Sequence, residues 1–152
     1  SILALTTHVN LESEKDFQTL FTEYANTTAG KQAKVKFAKI CYDAAKFDQS
    51  YTYYKESLEM FKGDPLMENF VLAALGHVCL ARKEVEEAKK YFLQIDQGSS
   101  DLLKDEARYA LAVLYEAGDD QAASKKMYEK IFSEHEGSMY RPIAKSKVDE
   151  MK

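Results

Sequence analysis

Tryptophan is absent from the 152 residues, and cysteine, proline and glycine are scarce: two, two and six. Two cysteines, Cys41 and Cys79, are too few for a disulfide framework, so they leave the compartment open. Few helix breakers in a chain that is 45% hydrophobic and 30% charged point to a soluble, mostly helical protein. No run of about 18 apolar residues is present, so no segment of this chain spans a bilayer. Excess positive charge is missing too. The formal charge is −4 with lysines and glutamates interspersed, which argues against a nucleic-acid surface. An initiating methionine is also lacking. Ser1 opens the chain, and the expectation is a processed or excised product whose signal or anchor would lie upstream.

Chemistry-bearing motifs are missing as well. There is no nucleotide loop, zinc HExxH, paired-cysteine motif or nucleophile elbow, so the reading is a non-enzyme with no catalytic residue, cofactor or metal. Glu134, His135 and Glu136 come nearest to a metal cluster, but consecutive residues point in different directions and read as a solvated helix end. Lys31, Lys34, Lys36 and Lys39 spread around their helix and read as a solvated face. Cys41 and Cys79 read as buried free thiols.

What is present is helical periodicity. Ten tyrosines and eight phenylalanines supply the bulky core groups, and about 150 residues suffice to bury roughly 68–70% of the unfolded surface without metal or disulfide. SILALTTHVN, which contains His8, is too short for a helix of its own. Phe17, Leu20, Phe21 and Tyr24 follow at amphipathic spacing, and an N-terminal helix is expected over 11–28, ended by Asn26–Gly30. Three hairpins are expected after it, over 31–62, 65–97 and 100–136, and a capping helix over 139–152. Pro65 is placed in the first turn of its helix, and Ser99, Ser100 or Asp101 is expected to cap the third hairpin.

The hairpins repeat. Ala38, Gly76 and Ala112 recur 38 and then 36 residues apart, as do Ser50, Ala88 and Ser124 on the partner helices. Within every hairpin the two small residues are 12 apart, and Tyr54, Phe92 or Tyr128 follows four residues later. Helices cross closely only where small side chains meet. A glycine inside a helix costs about 1 kcal/mol relative to alanine, and close approach of another backbone at Gly76 is the expected compensation.

This pattern resembles the tetratricopeptide repeat (TPR) family, best at Leu75, Gly76, Ala88 and Phe92, over about Lys31 to Glu136. It departs from the family in its longer spacing, in lacking tryptophan and in carrying Gln121 where an aromatic is usual. The resemblance implies an all-α, TPR-like α-solenoid, a right-handed superhelical stack in a single domain over 1–152. It implies a groove lined by the first helices of the hairpins, at Lys39, Tyr42, Phe70, His77, Leu80, Tyr109, Val113 and Glu116. Tyr42, His77 and Tyr109 are amphipathic and suit contact with a partner's backbone. Some family members clamp a terminal carboxylate with lysines and asparagines. At the matching positions this chain has Val35 and Lys39, so that clamp is incomplete.

DPLMENFVLAALGHV and EGSMYRPIAKSKVDEM are similar to segments of bacterial envelope proteins of the YfgM type, ancillary subunits of the SecYEG translocon. That likeness implies the soluble part of a membrane-anchored protein on the periplasmic side of the inner membrane. Its partners would be polypeptides, translocon or envelope proteins among them, and it would meet the membrane only through a segment outside this chain. The alternative is a cytoplasmic scaffold that forms homo-oligomers through an apolar end left open by its incomplete first hairpin.

Overall fold

Helix α1 spans Leu11–Glu23, α2 Thr28–Asp43, α3 Phe47–Met60 and α4 Met67–Ala81. Helix α5 spans Val85–Gln97, α6 Lys104–Ala117, α7 Gln121–Glu134 and α8 Arg141–Glu150. This computed structural model describes residues 11–152; SILALTTHVN, with His8, lies outside the described residues. The described residues are all-helical without a strand, and each helix packs on its neighbour in the chain. The architecture is α-solenoid-like.

Turns of one build join α2 to α3, α4 to α5 and α6 to α7. Ala45, Lys83 and Asp119 occupy the left-handed region, with φ of 59°, 62° and 61°. The following N–H groups, of Lys46, Glu84 and Asp120, donate to the carbonyls of Cys41, Cys79 and Tyr115 at 2.8, 2.8 and 2.9 Å. The left-handed residues themselves donate to Tyr42, Leu80 and Glu116. Together these bonds satisfy the carbonyls that a helix end leaves unpaired. The left-handed positions recur at the same 38- and 36-residue intervals as the small residues, so the sequence repeat is also a backbone repeat.

The small residues meet as the spacing predicts. Ala38, Ala112, Ser50, Ala88 and Ser124 have no exposed surface, and Gly76 is buried. In the outer hairpins the serine hydroxyl bonds the facing small residue: Ser50 Oγ donates to the Ala38 carbonyl and Ser124 Oγ to the Ala112 carbonyl, both at 2.8 Å. The central hairpin works differently. A Cβ on Gly76 would lie 2.5 Å from Cζ of the buried Phe92 ring. Gly76 therefore makes room for an aromatic side chain of its own hairpin, not for another backbone.

Close backbone approach occurs instead at Gly30, where a Cβ would lie 2.1 Å from the Tyr24 carbonyl oxygen. Gly30 does not stop the first helix. It lies in the first turn of α2, which Thr27 caps by accepting the Gly30 N–H at 3.0 Å. The chain thus leaves α1 at Glu23, short of the expected 28, and begins the first hairpin at Thr28 rather than 31. Pro65 precedes its helix instead of entering it, because Asp64 Oδ1 already accepts the N–H groups of Leu66 and Met67 at 3.0 Å. No side chain caps α6, which is entered through Leu103 at φ 57°. The Ser100 hydroxyl is spent on the Pro65 carbonyl at 2.9 Å, and the Asn69 amide donates to the Leu102 carbonyl at 2.8 Å. The first bond ties the two loops between hairpins together, and the second ties the later loop to α4.

The main core runs from Val35 to Ala144, and a smaller cluster of Phe21, Ala33, Phe37 and Cys41 joins α1 to α2. There Phe17 stacks on Phe37 with ring centroids 4.7 Å apart. Lys34 is not solvated: it is buried, its Nζ bonds Glu56 at 2.7 Å and it lies over the Phe21 ring. Cys41 and Cys79 are free and buried, and burial raises both thiols to a pKa of about 11. Helix α8 packs on α7 and buries Ala144.

Candidate functional site

The first helices of the three hairpins share a face, and a cleft of about 330 Å³ opens there. Lys39 and Tyr42 of α2 form one wall, and Glu106 of α6 with Leu103 forms the other. Phe70, Ala73, Ala74 and His77 of α4 make the floor, which reaches down to Tyr54 of α3. Four of the eight residues expected to line a groove are therefore brought together: Lys39, Tyr42, Phe70 and His77.

The polar groups of the cleft hold one another. His77 Nε2 lies 3.1 Å from Glu106 Oε1, a bond between successive hairpins. The edge of the His77 ring also meets Phe92, with centroids 5.3 Å apart at 71°, so the ring over Gly76 supports the cleft histidine from beneath. Lys39 Nζ bonds Asp43 in the same helix and lies 5.3 Å from the centre of the Tyr42 ring. Burial, and then the nearby Asp43 carboxylate, push the Tyr54 hydroxyl well above its usual range, so it stays a neutral donor.

The other four residues lie elsewhere. Leu80 is half-buried against the core. Val113 is exposed on α6 outside the cleft. Tyr109 stacks on Tyr140 at 4.6 Å, and Glu116 accepts from Lys147 at 2.8 Å and from the Tyr128 hydroxyl at 3.3 Å. The Lys147 bond, above all, holds the Glu116 carboxyl below its usual range. Both residues are engaged by α8 and the segment leading into it, a contact that periodicity within α6 does not reveal.

Tyr54, Ala73, Ala74, Leu103 and Glu106 complete the cleft but were absent from the sequence expectation. Glu106 had a signal, since it lies 36 residues after Phe70 and so holds the same repeat position. Leu103 had none, because its left-handed backbone comes from the tied loops. At the helix end, Glu134 is exposed as expected, but it and the half-buried His135 also have a partner. Both converge on the buried Arg108, whose Nη1 contacts the Glu134 carboxylate and donates to His135 Nε2 at 2.9 Å. Arg108 Nε also bonds the buried Asp96 at 2.7 Å, and Lys130 Nζ reaches the same carboxylate at 3.0 Å. Burial raises the Asp96 carboxyl, yet the Arg108 and Lys130 hydrogen bonds outweigh it and hold the group below its usual range. This cluster joins α5, α6 and α7, and Glu136 stays exposed beside it. No group of three or more potential metal ligands exists among the described residues, and no described helix is long and apolar enough to cross a membrane.

No protein-family model matches the chain, and no curated protein matches it.

Proposed function

We propose that this chain is a non-catalytic protein-interaction module of the TPR type, which holds a polypeptide partner against the shared face of α2, α4 and α6. The observation that carries this reading is the cleft itself, where Lys39, Tyr42, Phe70 and His77 converge from successive hairpins. Aromatic groups and half-exposed polar tips are the composition of protein-binding surfaces. Phe70 supports it further, because 47% of its surface is exposed although it lies next to a large core.

The test is site-specific photocrosslinking in cells, with a benzophenone side chain at Phe70 and, as a control, at the exposed Lys126 of α7. Partner adducts are expected from Phe70 alone. Wild-type recovery of that partner by a Phe70→Ala/His77→Ala variant would remove the reading.

The narrower proposal, the soluble part of a membrane-anchored envelope protein assisting secretion, draws only on the resemblance of the two segments quoted above. Protease accessibility of the natural full-length protein in spheroplasts tests it, and protection from protease would count for the cytoplasmic alternative. A self-assembling scaffold draws on Met139, two residues before α8, and Ile143 within it, 82% and 41% exposed. At the opposite end, α1 covers Phe37 and Cys41, and the large apolar group exposed there among the described residues is Tyr24. Light scattering that gives only monomer at every concentration would remove the scaffold.

A further inference from the structure

Among the described residues, each end of the stack is half of a hairpin. Phe17, Leu20 and Tyr24 stand 37 residues before Tyr54, Ser57 and Phe61, so α1 repeats α3, the second helix of a hairpin. Helix α3 is packed by α2 on one side and α4 on the other, and these three positions are 2%, 0% and 8% exposed. Helix α1 lies at the end, with α2 and the Tyr53 ring on one side only. Its Phe17 and Leu20 are half-buried and Tyr24 is 50% exposed, an apolar stripe where a first helix would lie. At the other end, Ile143 stands 36 residues after Ala107 and 72 after Val71, so α8 repeats the first helices α6 and α4. Those two residues are 1% and 0% exposed, whereas Ile143 is 41% exposed and no helix follows α8 among the described residues.

We infer that α8 of one copy and α1 of the next pair as the first and second helices of one hairpin, joining copies of this chain head to tail. This rests on the reading of the chain as a self-assembling scaffold. The two halves are complementary in type, and their charges agree. Helix α1 carries Glu14, Asp16 and Glu23 against Lys15, whereas α8 carries Arg141, Lys145 and Lys147 against Asp149 and Glu150. In an antiparallel hairpin the first half of α8, with the exposed Lys145, meets the end of α1, with the exposed Glu23. Opposite charges placed so favour this order of association over a contact of like ends. Pairing covers the apolar stripe of α1 and Ile143 together, while two α8 helices packed on each other would leave the stripe in water. A contact between unlike surfaces does not close on two copies, so the stack of hairpins continues from chain to chain.

The test is sedimentation of the full chain over rising concentration, to about 1 mM, where weak contacts form. The mass is expected to climb past that of two chains. Tyr24→Lys breaks the α1 face and Ile143→Glu the α8 face, both at exposed positions, and each variant alone is expected to stay monomeric. An equal mixture of the two keeps one intact α8 and one intact α1, and is expected to stop at a pair of one chain of each. Should either variant fail to fold, the surface change Lys145→Glu is expected to weaken assembly about two- to fivefold, the value of an exposed ion pair, and Glu23→Lys in the same chain to restore it. A failure to restore it would overturn the pairing. If Tyr24→Lys alone still forms dimers, or Ile143→Glu alone does, like ends meet: the head-to-tail pairing is overturned while the scaffold stands. A monomeric parent at every concentration, as a segment ahead of α1 covering its stripe would give, overturns both.

Discussion

The outer hairpins and the central one close the same helix crossing with different chemistry. In α2–α3 and α6–α7 an alanine faces a serine, whose hydroxyl bonds the alanine carbonyl 12 residues earlier at 2.8 Å. In α4–α5 a glycine faces an alanine, no hydroxyl is available, and the space above the glycine is taken by Phe92. The intervals and the left-handed turns are conserved through this exchange. The crossing therefore demands only small volume, and a polar tie or an aromatic plug can each supply the cohesion. The plug has a further effect, since Phe92 supports His77 and so shapes the cleft floor.

The largest test of this contrast is Phe92→Ala. Removing a fully buried ring is expected to cost about 3–5 kcal/mol, read as the shift of a urea unfolding midpoint, with His77 losing its support. Gly76→Ala should follow. Better helix propensity favours it by about 1 kcal/mol, but its Cβ meets a ring with no free space, and overpacking of this kind costs about 1–3 kcal/mol. Net loss is the expected outcome, with recovery in the Gly76→Ala/Phe92→Leu double variant. A gain in the single variant would mean that the ring moves freely, as a plug could not.

The polar tie is the smaller quantity. Ser124→Ala is expected to lose about 1 kcal/mol, the net value of one hydrogen bond, whereas grafting the tie by Ala88→Ser should be tolerated within about 0.5 kcal/mol. A loss of about 1–3 kcal/mol from the graft would indicate an unsatisfied buried hydroxyl and a central crossing unlike the outer two. At the turns, which all three hairpins share, Lys83→Gly is expected to stabilise by about 0.5–1 kcal/mol. Glycine adopts the left-handed region without the penalty lysine bears, and a higher thermal midpoint would register it.

Local pattern was sufficient for the helices and their pairing. Apolar periodicity over Phe17 to Tyr24 marks α1, and the 12-residue separation of small groups marks each crossing. Helix ends were harder. Thr27 caps α2 because Gly30 can lie against the Tyr24 carbonyl, and that approach depends on where α1 has packed. The left-handed turns were invisible for a related reason. Ala45, Lys83 and Asp119 are not the glycines that such helix ends favour, and Gly118, beside one of them, has an ordinary φ of −91°.

The sequence by itself determined an all-helical chain of repeated hairpins with small residues at the crossings, because helical period and side-chain volume act within some 15 residues. Only the tertiary structure decided which residues the cleft contains. Tyr109 and Glu116 are occupied by Tyr140 and Lys147, more than 30 residues on, while Tyr54 arrives from α3 and Leu103 from the residue that opens α6. Such meetings depend on how successive hairpins turn and stack, a long-range packing that no local spacing encodes.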